Sequence, residues 1–400
     1  MSDDLDGSAP APDIEFSGTM SMDLAESVRT TLLDLLGNGH GSVATPAYIY
    51  SVEQVGENYR DLKQALGTPL VVSIKANHCP ELLSRAAFNF DDGCEVASLG
   101  ELRLRSGTRR KIYINTPAYT RRMVEVASRY DAVFIIDHIA QLDIIGEVKG
   151  NRAFKNSVLL RLNFDTARDE SAQPKDHFGM DAKSLFEAAA KARDLGVKVA
   201  GLHVFCGSNG FVGKSGACVE IVEKLYDAVA GILGYPLEVI NLGGGISSDW
   251  REKNIDFTSY RASLEPLKCK AEVIHESGRA IFGSAGYFVT EVVSVKKISA
   301  KRYIVCDGGM AQNFLLAKTE QVIRKYDRPM LVGARGADTP QDYVFVGASC
   351  NRDDLIGEYK ACPYEIQPGD RIVFGYCGAY NALYTVNKFL ALKDYGEYVI

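Results

Sequence analysis

A chain of 400 residues with 46% hydrophobic and 24% charged side chains can bury a large core, and its length suggests two or three domains. A net charge of -6 offers no polycationic surface for nucleic acid, and no apolar run approaches the roughly 20 residues that span a bilayer, so neither partner is expected. Nine cysteines, at 79, 94, 206, 218, 269, 306, 350, 362 and 377, form no CxxC pair and follow no secretory leader, which reads as reduced thiols in a cytoplasm.

Residues 1–18 are acidic and rich in Ser, Ala, Pro and Asp; they cannot bury enough apolar surface to order themselves and read as a disordered tail. From Tyr48 onward, short apolar runs alternate with longer amphipathic stretches. The runs cover 70–74, 112–115, 132–136, 157–162, 198–203, 237–242 and 272–275, and the candidate helices include 81–89, 121–129, 182–195 and 217–233. Seven or eight such units in one direction imply a parallel sheet, and a closed (β/α)8 barrel over residues 45–286 fits the count better than an open sheet. After Gly286 the pattern turns strand-rich, at 287–295, 302–306, 343–346 and 371–374, with a turn signal at Gln367-Pro368-Gly369-Asp370. Residues 19–44 and 287–400 are expected to form a separate β-rich domain.

Barrel chemistry collects at the C-terminal ends of the strands. Lys75 ends the run Val71-Val72-Ser73-Ile74, so an amine is delivered where a Schiff base can form. A lysine at a strand terminus equally snorkels to solvent. Residues 203–208, Gly243-Gly244-Gly245 and 276–279 fall at other strand ends. Three consecutive glycines remove every Cβ where backbone amides would approach an anion, although the same run also makes a flexible turn. Ser208 adds a hydroxyl and Arg279 a charge-assisted contact, which together complete a phosphate cradle. Glu276 suits a pyridine nitrogen that must stay protonated; its alternative partner is Arg279, three residues on. An amine, an anion cradle and a carboxylate at strand ends together describe a site for pyridoxal 5'-phosphate (PLP).

Further motifs carry a resemblance. Lys75 in Ile-Lys-Ala-Asn, Glu95-Val-Ala-Ser98-Leu-Gly-Glu101, His177-Phe-Gly179, Cys206-Gly-Ser208, Gly243-Gly-Gly245, Glu276-Ser-Gly-Arg279, Asp307-Gly-Gly-Met310, Cys350 to Asp354 and Gly378-Ala-Tyr380 occur in the order found in fold-type III PLP decarboxylases. Over roughly residues 45–395 the chain resembles the diaminopimelate and ornithine decarboxylase family. Alanine racemases share the barrel, but the segments around Cys350 and Tyr380 point to the decarboxylase branch.

The resemblance implies roles for individual residues. Lys75 would hold PLP through a Schiff base and Glu276 would pair with the pyridine nitrogen. Ser208, Gly245, Arg279 and Tyr380 would hold the phosphate, with Gly243, Gly244 and Gly278 beside them, and Arg161 and Phe205 would line the cofactor. Cys350 of the partner subunit would protonate the substrate carbanion, which implies a head-to-tail homodimer with shared active sites and a small amino-acid substrate. A free cysteine is otherwise commonly a buried structural thiol.

Departures from the family pattern bear on the substrate. Phe205 stands where a histidine usually stacks on the PLP ring, with His203 two positions earlier, and Ser277 stands where proline is usual. Cys350-Asn351-Arg352 replaces Cys-Glu-Ser, which removes a carboxylate and adds a guanidinium suited to an anionic distal group. Asn351, Arg352, Asp354 and Arg328 are the candidate substrate-binding residues. The segment between Met310 and Arg328 is long and resembles that of decarboxylases in siderophore and secondary-metabolite pathways. The favoured expectation is PLP-dependent α-decarboxylation of a modified or conjugated amino acid. The nearest rival is meso-diaminopimelate decarboxylase; a non-catalytic regulatory homologue and a racemase-like activity are weaker alternatives.

Overall fold

The computed structural model describes residues 26–37, 43–104, 110–151, 155–169, 171–317 and 328–400. The acidic segment 1–18 and the long part of the Met310–Arg328 connection at 318–327 lie outside them. The chain divides into two compact units, one of Val52–Ala285 and one of Gly286–Ile400 with the residues up to Ser51.

In the second unit, β1 (Ala47–Tyr50) runs antiparallel to the later strand β10. In the first unit, eight strands close into a barrel: β2 (Leu70–Ser73), β3 (Cys94–Val96), β4 (Ile112–Asn115), β5 (Ala132–Ile136), β6 (Ser157–Leu162), β7 (Val199–Val204), β8 (Val239–Asn241) and β9 (Glu272–Ser277). All neighbours are parallel, and β9 returns to β2 with Leu70 opposite His275 and Val72 opposite Ser277. Both faces of such strands are covered, which is why they read as continuous apolar runs rather than as alternating ones.

Period-two alternation nevertheless sets the interior. Val71, Tyr113, Val133, Ile135, Leu159, Ala200, Val239 and Ile274 pack as one apolar cluster drawn from seven of the eight strands. Two residues further along, towards the C-terminal ends, Ser73, Asn115, Asp137, Arg161, Asn241 and Glu276 stand above Val71, Tyr113, Ile135, Leu159, Val239 and Ile274. A polar layer is thereby stacked on an apolar floor, all of it buried.

Two elements differ from expectation. Strand β3 is only three residues long, too short to show a period, and Gly93 before it has φ 99° with no room for a Cβ, which would lie 2.2 Å from the Lys111 carbonyl oxygen. The helix expected from residue 217 starts six residues earlier and spans Phe211–Leu233. Gly213 and Gly216 weaken helix propensity there, but Phe211 anchors the first turn with its ring 4.9 Å from Tyr260 and 6.1 Å from Phe257. Gly234, at φ 80°, ends that helix in the left-handed conformation. No described helix is long and apolar enough to cross a membrane.

The other unit also contains β10 (Gly286–Ile298), β11 (Lys301–Cys306), β12 (Met330–Val332), β13 (Arg335–Val346), β14 (Leu355–Glu365), β15 (Arg371–Phe374) and β16 (Gly396–Val399). Its sheet has the order β12-β15-β10-β11-β13-β14, while β1 pairs with β10 and with β16. Residues 45–51 therefore belong with the β unit and not with the barrel, contrary to the boundary expected from sequence. The physical reason is that β1 supplies Ala47 and Ile49 to a core with Tyr287, Val289, Val332 and Val373, onto which the helix Glu26–Gly37 packs Val28, Leu32 and Leu36. The turn at Gln367–Asp370 forms as its residues suggest, with the Asp370 carboxylate accepting from the Gln367 amide and Gly369 at φ 91°.

His275 on β9 is enclosed between elements of the barrel unit, with Nδ1 2.8 Å from the Thr68 hydroxyl and Nε2 2.7 Å from that of Tyr260. Burial, aided by Lys268 and opposed by Glu276, pushes its pKa down to about 3. The unfolded histidine binds a proton below pH 6.5 or so and the folded one does not, so its contribution to stability is complete above that pH and is lost as pH falls towards 3. Urea unfolding at pH 7, 6 and 5 should show stability falling by up to about 1.4 kcal/mol per pH unit from this group. His275→Gln should flatten the decline; parallel profiles for the two proteins would contradict the assignment.

Candidate active site

Lys75 sits just past the end of β2, in the 3-10 turn Ile74–Ala76, which closes with the Asn77 amide donating to the Ile74 carbonyl at 3.0 Å. Its Nζ donates to Glu95 Oε1 at 2.8 Å. The lysine side chain is 42% exposed, whereas Glu95 on β3 is fully buried. The second oxygen of Glu95 has no hydrogen-bond partner among the described residues. A carboxylate enclosed in this way requires a cation, so Lys75 is held at the barrel mouth and does not snorkel freely.

Glu276 is 5% exposed, near the end of β9. Its Oε1 accepts from Asn241 Nδ2 at 2.8 Å and lies 3.6 Å from His203 Nε2. Burial alone would raise the carboxyl pKa; His203, Lys75 and the Asn241 hydrogen bond outweigh it and hold the group below the usual carboxylate range. Glu276 is thus paired across the barrel with β7 and β8. Arg161 on β6 points its Nη1 at Asp137, 3.2 Å away, and at Asn115, 3.4 Å away, and stacks its guanidinium over Phe178 at 4.7 Å. Its Nε is buried without a hydrogen-bond partner among the described residues.

The three glycines are required by close backbone approach, a reason independent of any anion. A Cβ on Gly243 would lie 2.4 Å from the Val204 carbonyl oxygen, on Gly244 2.5 Å from that of Glu276, and on Gly245 2.5 Å from that of Gly207. The Gly243–Gly245 loop is therefore pressed against the loop that carries Phe205 and Ser208. Phe205 is half-buried beside Gly243, and Ser208 is exposed. Between Gly207, at φ 93°, and the helix Phe211–Leu233 lies Asn209, at φ 57°. These left-handed turns and the Ser208 hydroxyl adjoin the first turn of a 23-residue helix, whose Phe211 amide donates to the Gly245 carbonyl at 3.3 Å; a glycine-rich loop at a helix N-terminus is a setting suited to an anion. Lys214, in the first turn of that helix, was not singled out in the sequence; it donates to the Cys206 carbonyl at 3.0 Å. Gly278 allows β9 to pack against the Lys75 turn, since a Cβ there would meet Ala76 at 2.7 Å and the Ser73 carbonyl oxygen at 2.9 Å. Arg279 follows it, half-buried, at the start of a four-residue helix.

The remaining candidates lie in the β unit. Asp354, expected to bind substrate, is 3% exposed, and both its carboxylate oxygens are used by the chain. Oδ1 accepts from the Met310 amide at 2.7 Å and Oδ2 from the Ser349 amide at 3.1 Å. This corrects the expectation: Asp354 clamps the loop 347–354, and Gly309 and Gly347 leave the space it occupies. Asn351 accepts from the Asp353 amide at 2.9 Å and so shapes the same loop. Cys350 at its crest is exposed and is not the buried structural thiol that free cysteines commonly are. The Arg352 side chain is 78% exposed, 3.8 Å from Asp353. Arg328 lies 5.4 Å above the Tyr359 ring on β14. Tyr380, at φ 69°, and Tyr376, at φ 54°, place two side chains in a backbone region disfavoured for them, within one short loop.

The barrel residues fit PLP. They provide a reachable amine, a carboxylate kept ionised for a ring nitrogen, and a glycine-lined anion cradle; buried polar atoms of Glu95, Arg161 and His203 also remain unpaired among the described residues. Residues 52–283 match the family described as pyridoxal-dependent decarboxylase, pyridoxal binding domain. The chain belongs to this family. It is a PLP-dependent carboxy-lyase that acts on a small amino-acid substrate.

Among curated relatives, the decarboxylase is 29% identical over 356 residues to diaminopimelate decarboxylase of Deinococcus radiodurans, covering 84% of this chain and 86% of that one. It is 26% identical over 389 residues to the L-glutamyl-[BtrI acyl-carrier protein] decarboxylase of Niallia circulans, covering 88% and 90%. The fold is similar to that of the arginine decarboxylase of Paramecium bursaria Chlorella virus bound to agmatine, with a TM-score of 0.77 and 18% identity over 94% of this chain and all of that one.

Gly244→Ala should lower the affinity of the decarboxylase for PLP by tenfold or more, roughly, because the new methyl group displaces the Glu276 carbonyl and with it the end of β9. Gly231→Ala, whose Cβ meets nothing within 4 Å, is the control. Spectrophotometric titration of the apoprotein with PLP measures both; equal affinities would show that the tight glycine loop does not shape the cofactor site.

Proposed function

We propose that the enzyme removes the α-carboxylate of an amino acid, or of an amino-acid conjugate, whose distal end is carboxylated or otherwise anionic. The observation that carries this reading is the exposed guanidinium of Arg352, two residues from Cys350 on a loop that Asp354 holds rigidly. No acidic side chain stands at 351 or 352 to receive a distal ammonium group. The relative from Niallia circulans acts, by its name, on a glutamyl group joined to a carrier protein, which supports a conjugated substrate. The diaminopimelate decarboxylases of Deinococcus radiodurans and Aquifex aeolicus, 29% and 26% identical, support the rival reading.

Each residue contributes to this reaction in a way its surroundings explain. Lys75 Nζ, released from Glu95, is the amine to which the cofactor attaches. Glu276, ionised at neutral pH, holds a proton on the pyridine nitrogen. Ser208, the amides around Gly245, Arg279 and Tyr380 hold the phosphate, and Arg161 and Phe205 line the ring. When bound, PLP supplies the electron sink for the pair left behind as carbon dioxide departs. The Cys350 thiol returns a proton to the α carbon. We place it, in a homodimer with shared active sites, at the barrel of the other subunit, and we assign the enzyme to the cytoplasm.

Carbon dioxide release from a citrate-conjugated diamino acid, meso-diaminopimelate, lysine and ornithine tests the proposal. The conjugate should be favoured, and Arg352→Glu should lower kcat/KM for it by roughly tenfold, or about 1.4 kcal/mol, with much less effect on the cationic substrates. An equal effect on all four would remove Arg352 from the distal pocket. Preference for meso-diaminopimelate would establish the rival reading.

A further inference from the structure

His203 is 1% exposed, and among the described residues neither of its buried ring nitrogens has a hydrogen-bond partner. A buried imidazole in that condition forgoes the hydrogen bonds that water would give it, so its position calls for a compensating interaction. It stands in register with Asn241 on β8 and Arg161 on β6, and its Nε2 is 3.6 Å from Glu276 Oε1, within ion-pair reach but beyond a hydrogen bond. Asn241 Nδ2 contacts the same oxygen at 2.8 Å. The other enclosed histidine of the barrel, His275, has both nitrogens engaged by Thr68 and Tyr260. Phe205, at the place of the usual stacking histidine, brings no charge or donor near Glu276.

We propose that His203 is a positioning residue for Glu276: with Asn241 it occupies Oε1, fixing the carboxylate so that Oε2 serves the pyridine nitrogen, and it thereby governs how strongly the enzyme grips that nitrogen without touching the cofactor itself. The inference rests on the reading of Glu276 as the partner of the ring nitrogen.

The test compares the affinities of the apoenzyme for PLP and for 1-deaza-PLP, in which carbon replaces the ring nitrogen, in the wild type and in Glu276→Gln, His203→Phe and His203→Gln. Retained affinity for the deaza analogue shows that a variant is folded with its phosphate cradle intact. His203→Phe should lose about tenfold for PLP, the equivalent of one pKa unit, and little for the analogue, while His203→Gln, which can present an N–H towards Oε1, recovers part of the loss. If Glu276→Gln is selective for PLP but His203→Phe weakens both ligands alike, or neither, the inference about His203 is overturned while the reading of Glu276 stands. If Glu276→Gln shows no selectivity, that reading fails and the inference falls with it.

Discussion

Two carboxylates enclosed at the C-terminal end of the barrel govern the arrangement of the site. Glu95 and Glu276 are almost completely withdrawn from water, and a carboxylate in such a position either takes up a proton or recruits positive charge and hydrogen bonds. Glu95 recruits Lys75, and Glu276 recruits His203 and Asn241 within the field of the same lysine. The amine proposed to attach the cofactor is thus positioned by a charge whose burial is costly, and the carboxylate proposed for the ring nitrogen is held ionised by the charge and hydrogen bonds around it. A salt bridge between Glu276 and Arg279, the simpler expectation, is replaced by pairing across neighbouring strands.

Close packing of backbone does the rest. Five positions in the loops after β7 and β8, namely Gly207, Asn209, Gly243, Gly244 and Gly245, either take left-handed backbone or have no room for a Cβ. The loops proposed to bind the phosphate therefore hold each other in place. In the β unit Asp354 has the analogous task, since its two oxygens bind backbone amides and leave Cys350 exposed at the crest of a fixed loop.

Most of the architecture was legible in the sequence because apolar runs of fixed direction followed by amphipathic helices admit few solutions. The runs at Ile112–Asn115, Ala132–Ile136 and Ser157–Leu162 coincide with strands residue for residue. Cys94–Val96 escaped because three residues carry no period, and the start of the helix at Phe211 escaped because glycines disguised it. Within the site, Lys75, Glu276 and the triple glycine stood out by residue type at strand ends. Glu95 entered only within a motif and drew no role, because the short strand that buries it went unrecognised. Asp354 was read as facing the substrate because its carboxylate resembles a binding group; only the tertiary fold shows that backbone amides already occupy it.

Arg352, proposed to select the substrate, has a 78% exposed side chain, whereas Lys75 is tied to the fully buried Glu95. Lys75 as the attachment point of PLP remains the central claim, and its most direct measurement is borohydride reduction of the PLP-loaded protein followed by peptide mapping. The account predicts a phosphopyridoxyl group on the peptide that contains Ile74-Lys75-Ala76. Modification at another lysine, with that peptide unchanged, would contradict it.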